Sequence, residues 1–278
     1  MTWNLVGVVI LMFVNWSIEA FKWKLSVKPV QRVSFFRALQ AVLSGVSFSV
    51  STPNRIGEYL GRVLYMNEGN RLKTISITIV GSISQLIITL LAGCIGLFIL
   101  RNQIEAKQII SPMWMNVIVY GVMAVLLIIV LFYFRLSWIV KWADRLPGSK
   151  RFAYLIEALE EFHASLLLKL LLLSLLRFAV FILQYYLLFV LFDVHLSGPQ
   201  VFWTISVSFL VMAIIPTIAI AELAQRGKVV TAIAGLYSAN ELGMTFATAG
   251  IWFINLILPA IIGSLLILRM RKIIKAEN

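Results

Sequence analysis

Apolar residues run on along this chain instead of alternating with polar ones. Five stretches, residues 3–21, 74–100, 112–134, 166–192 and 243–268, stay apolar over the roughly 18 or more residues that a helix needs to cross a bilayer. The hydrocarbon core offers backbone N–H and C=O groups no water, so a crossing segment must be a helix or a strand of a closed barrel. Barrel strands alternate outward apolar and inward polar side chains, and residues 166–192 show no such alternation. The pattern predicts an all-α integral membrane protein, a polytopic bundle.

Two further apolar stretches are interrupted. Between 33 and 66 the chain is rich in small and hydroxyl residues (Ser44, Gly45, Ser47, Ser49, Ser51), halts at Thr52-Pro53, and resumes past Gly57 with Glu58 and Arg62. Between 199 and 226 an apolar run halts at Pro216 and resumes with Glu222 and Arg226. Proline lacks an N–H and clashes with the preceding helical turn. Pro53, Gly57 and Pro216 are therefore expected to be structural breaks, and both stretches to be re-entrant or broken helices.

The two interruptions match each other. Each has an apolar run, a proline, then Glu and Arg four residues apart, with a spanning segment upstream and another downstream. Basic residues sort the loops. Lys22, Lys24, Lys28, Arg32 and Arg37 follow the first span, a second group lies between 135 and 151, and Arg269, Arg271, Lys272 and Lys275 come last, whereas 193–200 has no Lys or Arg. Positive charge marks cytoplasmic loops, which sets the N-terminus outside and the C-terminus in the cytoplasm. It also points the first span and the 166–192 span in opposite directions. The expected organisation is an inverted-topology repeat. A first membrane repeat covers 1–134 with its broken segment at 33–66, a cytoplasmic amphipathic connector covers 135–164, and a second membrane repeat covers 165–278 with its broken segment at 199–226. The second repeat is one crossing shorter. In transporters built this way, interrupted helices at matching positions point to the binding site.

Composition narrows the function classes. A formal charge of +12 would suggest nucleic acid in a soluble protein. Here only 13% of residues are charged, against about 25% in a soluble domain, and the loop pattern accounts for the excess. No nucleic-acid partner is expected; anionic membrane lipids are. Cys94 is the only cysteine, so no intrachain disulfide can form. Two His and one Cys offer no metal-ligand spacing, and no Walker loop, nucleophile elbow or dinucleotide fingerprint occurs. The expectation is no cofactor, no metal and no enzymatic activity.

What remains is a set of polar groups at membrane depth, functional candidates by default. Glu58 with Arg62 and Glu222 with Arg226 are i,i+4 pairs that share a helix face and can neutralise each other. One reading makes each pair a structural lock, because an unpaired buried ion costs several kcal/mol. The other has Arg55, Arg62 and Arg226 present guanidinium forks to an anion, phosphate above all, while the carboxylates tune release or carry a proton. Arg177 lies about 16 Å into its span at ~1.5 Å per residue, too deep to snorkel, with Gln184 on the same face. Asn15 and Glu19 form a further i,i+4 pair beside Lys22 and Trp23, which read as interfacial anchors. Gln85 reads as interhelical glue.

Residues Thr52-Pro53-Asn54-Arg55-Ile56-Gly57-Glu58, with Arg62 beyond, are close to the Thr-Pro-Gly-Arg-x-Gly-Glu signature of the transmembrane region of bacterial lysylphosphatidylglycerol synthases, Asn54 standing for Gly. Asn15-Trp16, Glu19, Lys22-Trp23 and the later Pro216, Glu222 and Arg226-Gly227 extend the resemblance over essentially the whole chain. The chain is similar to the stand-alone, flippase-like members that lack the soluble aminoacyl-transfer domain. The resemblance implies a lipid transporter of the bacterial inner (cytoplasmic) membrane. Its cargo would be an anionic, phosphate-bearing phospholipid or polyprenyl-phosphate lipid moved between leaflets, with protons as a candidate coupling ion. Substrate contact is expected at Arg55, Glu58, Arg62, Glu222, Arg226, Arg177, Gln184, Asn15 and Glu19. Two rivals fit the same composition: an intramembrane lipid-headgroup enzyme with Glu58 as base, and a non-catalytic membrane scaffold.

Overall fold

The computed structural model describes residues 2–52, 55–135, 159, 162–215 and 219–277, and every regular element among them is helical. In chain order these are α1 (Thr2–Val27), α2 (Phe35–Ser49), α3 (Gly57–Val63), a 3-10 turn at Glu68–Asn70, α4 (Arg71–Ala106), α5 (Pro112–Phe134), α6 (Ala164–Leu191), α7 (Gly198–Ile214), α8 (Ala219–Ala234), α9 (Glu241–Trp252) and α10 (Leu258–Glu277). Pro53, Asn54, Pro216 and most of the connector, 136–158 with 160–161, lie outside the described residues.

Five helical stretches are long and apolar enough to span: Trp3–Val27, Glu68–Ala106, Pro112–Phe134, Ala164–Leu191 and Glu241–Arg269. Each overlaps one of the five expected crossings. The last is α9 and α10 joined through a π turn at Phe253–Ile257. Pro259 gives the reason. Its ring excludes a normal turn against the carbonyl four residues back, at Asn255, and widening the helix there absorbs the misfit. Large apolar side chains such as Phe13, Leu127, Leu172 and Phe246 remain exposed on the outer face, as lipid contact requires.

The interrupted stretches form packed helix pairs. α2 has 15 residues, about 22 Å at ~1.5 Å per residue, short of a hydrocarbon core of about 30 Å. α3 folds back antiparallel along it. Ser44 and Tyr65 hydroxyls meet at 3.0 Å and Arg37 Nε donates to Tyr65 O at 3.0 Å, while Gly61 lies directly on Gly45. A Cβ on Gly45 would sit 2.7 Å from the Glu58 carbonyl oxygen; only bare backbones approach this closely. At the turn, the Thr52 hydroxyl accepts the Gly57 N–H at 2.8 Å, and Arg55 takes a left-handed backbone with φ 58. α7 and α8 make the corresponding pair in the second half.

The two halves pack as counterparts. α1 and α6 lie antiparallel, with Val8 opposite Gln184, Asn15 opposite Arg177 and Lys22 opposite Ser174. When α1 to α4 are matched with α6, α7, α8 and the α9–α10 helix, contacts recur in pairs. α2 packs on α10 and α7 on α4; α3 packs on α4 and α8 on α9. Both α2 and α4 use small residues for this: Ser47 and Ser264 hydroxyls lie 2.6 Å apart, and Gly96 lies against Val207 and Trp203. α5 packs mainly on α4 and has no counterpart among the described helices.

Candidate functional site

The inner face of α1 carries Asn15, Trp16, Glu19, Lys22 and Trp23, spaced three and four apart so that they stack on one stripe. Glu19 is the hub of a buried ion cluster. Its carboxylate accepts from Lys22 Nζ at 2.9 Å, from Arg62 at 2.9 Å and from Arg177. Arg62 also donates to Glu58 at 3.1 Å, the i,i+4 partner on α3. Arg177 Nε donates to Asn15 Oδ1 at 2.8 Å, and Asn15 donates in turn to Asn255 Oδ1 at 3.4 Å. Lys22 reaches Ser174, whose hydroxyl lies 2.8 Å from that of Ser84. Trp23 Nε1 donates to Thr78 at 3.2 Å. Lys22 and Trp23 are thus interior residues, not interfacial anchors. α1 runs on to Val27, past the expected end at 21, with the less buried Lys24 in its last turn and the exposed Lys28 just beyond it.

A second hub forms where the two helix pairs meet. Glu222, in the first turn of α8, accepts both oxygens' worth of bonds from Arg55, at 2.9 and 3.1 Å, and a further bond from Arg226 one turn on. Arg55 belongs to the turn before α3 and Glu222 to the start of α8, so this contact joins the first half to the second. The Arg226 guanidinium lies over the Phe209 ring, 5.7 Å from its centroid. Arg177 lies likewise over Trp16 at 5.5 Å. Cation–π contact lets a guanidinium turn its edge, with its donors, towards other partners.

Both hubs line one cavity of about 770 Å³. Five cations (Lys22, Arg55, Arg62, Arg177, Arg226) and three carboxylates (Glu19, Glu58, Glu222) face it, leaving a formal excess of two positive charges among the described residues. Much of the remaining lining is apolar and aromatic, from Phe178, Phe181 and Phe209 to Met212, with the guanidinium groups of Arg177 and Arg226 lying over Phe181 and Phe209. Ile214 and Ile215 line it and are themselves exposed, as is much of Arg55. The rim is therefore apolar with one cation on it. The buried N–H donors Arg62 Nε, Arg226 Nε and Trp16 Nε1, all on lining residues, have no hydrogen-bond partner.

Of the residues singled out from the sequence, Arg55, Glu58, Arg62, Arg177, Glu19, Glu222 and Arg226 lie together around this cavity. Asn15 stands just behind it, orienting Arg177. Gln184 does not join them. It is buried along α6 and donates to Val8 O at 2.9 Å, tying α6 to α1. Gln85 lines the cavity and also donates to Ser174 O at 3.4 Å across the helix interface. Lys22, Asn255 and the Phe178–Phe181–Phe209 wall are additions that the sequence reading did not place there. Asn255 had a signal: an amide within the 243–268 run, four residues before a proline, where a π turn is expected to present it. No signal in the phenylalanines separates these three from lipid-facing ones.

A cavity with excess cationic charge and a partly apolar, aromatic lining can hold an anion that carries an apolar tail. No protein of curated function matches the chain. The family model for the lysylphosphatidylglycerol synthase TM region matches residues 1–263, and the chain belongs to that family.

Proposed function

We propose that this chain is a lipid transporter that takes an anionic, phosphate-bearing headgroup into the cavity and passes it between leaflets of the bacterial inner membrane. One observation carries the reading. In a chain with few charges, five cations and three carboxylates among the described residues converge on a single cavity whose remaining lining and rim are largely apolar. Guanidinium forks match phosphate oxygens, and the apolar rim lets acyl or prenyl tails stay in lipid. Membership of a lipid-related family supports the same class.

The antiparallel α1 and α6 and the paired contacts of the two halves support an inverted repeat, with the α2–α3 and α7–α8 pairs as re-entrant hairpins entering from opposite faces. On this reading Glu222 occupies the place of the phosphate. It bridges Arg55 and Arg226 when the cavity is empty and gives way when the headgroup arrives. The Glu19 cluster stays intact and anchors α3 to α1 and α6. Breaking the Arg55–Glu222 contact lets the two hairpins part, which opens the site to one face and then the other.

Proteoliposomes carrying headgroup-labelled anionic lipid test the proposal. Label in the inner leaflet should become accessible to an external quencher faster than in protein-free vesicles, and the Arg226→Gln variant should slow this. Folded protein that moves no anionic lipid would contradict it. A lipid of altered mass would favour the headgroup-enzyme reading, and full function in both Arg55→Gln and Arg226→Gln would favour the scaffold.

A further inference from the structure

Resting on that reading, we infer that the headgroup for which this cavity is built is a terminal phosphomonoester, a lipid ending in a phosphate with three free oxygens. Phosphodiester and cationic aminoacylated headgroups fit it less well.

The charges divide evenly. Around Glu19 and Glu58 stand Lys22, Arg62 and Arg177; around Glu222 stand Arg55 and Arg226. Each cluster keeps one cation in excess. A monoester carries close to two negative charges at neutral pH, its second pKa being about 6. It would neutralise both clusters at once, while a diester would leave one of them uncompensated in a low-dielectric site. A headgroup bearing an ammonium adds to the excess. Of the carboxylates lining the cavity only Glu222, released as the headgroup arrives, would be free to meet it: Glu19 already serves three cations and Glu58 is held by Arg62.

The test measures binding to the purified full chain in detergent by native mass spectrometry. Dioleoyl phosphatidate and dioleoyl phosphatidylglycerol share tails and differ in monoester against diester; glycerol 3-phosphate is the monoester without tails. Near pH 8, phosphatidate should bind about tenfold tighter than phosphatidylglycerol, the scale of one further charge-assisted hydrogen bond. Near pH 5 its headgroup takes up the second proton, and the advantage should fall to about two- or threefold. Phosphatidylglycerol does not titrate in this window and so reports any change in the protein itself. Arg55→Gln removes one excess charge at the half-exposed rim, and should bring the ratio towards one without changing the melting temperature. Equal or tighter binding of phosphatidylglycerol, or an advantage that does not fall near pH 5, overturns the inference. Glycerol 3-phosphate binding as tightly as phosphatidate would overturn the lipid assignment. Failure of both lipids to bind would overturn the transport reading itself.

Discussion

Glu19 and Glu222 are the same side chain set to different tasks by their surroundings. Glu19 lies on a long helix with three cations around it, and its partners Lys22 and Arg62 are almost wholly enclosed. Glu222 starts a short helix behind an interrupted stretch, and its partner Arg55 is 42% exposed at the rim. Enclosure makes the first cluster costly to open, since buried ions in it would lose compensating charge. An ion pair with one arm at the surface is worth little by itself and is easily exchanged for another anion. The comparison separates a fastener from a site, two clusters of charge that line one cavity.

Glu19→Gln should have the largest effect. It strips Lys22, Arg62 and Arg177 of a shared charge, at a cost on the order of 3–5 kcal/mol, read as a large fall in melting temperature in detergent. A fall no greater than that of Glu222→Gln would break the comparison. Next comes Gly61→Ala, whose Cβ would enter the Gly45 backbone. Overpacking of this kind costs about 1–3 kcal/mol, whereas Gly69→Ala, with open space around it, should be close to neutral. Glu222→Gln should cost about 1 kcal/mol, a value discounted for the exposure of Arg55, yet bind anionic lipid more tightly and release it more slowly. Smallest for stability is Arg55→Gln, within ~0.5 kcal/mol, while headgroup transfer in proteoliposomes should fall about tenfold.

What could be read from the sequence follows from what each kind of pattern measures. A long apolar run reports a length, and the five spans emerged close to their expected places because 1.5 Å per residue leaves little choice. The Glu58–Arg62 and Glu222–Arg226 pairs were legible because i and i+4 face the same way on any helix. Hydropathy does not report which way a span is rotated. Lys22 therefore read as part of a basic collar, although its ammonium group is turned inward to Glu19. Gln184, on the same helix as Arg177, read as a partner in the site although it serves the α1–α6 interface. The Arg55–Glu222 bond joins residues 167 apart in sequence. It depends on how the two halves pack together, and nothing local in either segment encodes it.

The most direct test of the division between fastener and site is a structure of the protein with phosphatidate bound. The account predicts headgroup density against Arg55 and Arg226, the Glu222 carboxylate displaced from between them, the tails leaving past Ile214 and Ile215, and the Glu19 cluster unchanged. Headgroup density on Lys22 and Arg177 with the Glu19 cluster opened, and the Arg55–Glu222 bond still closed, would contradict it.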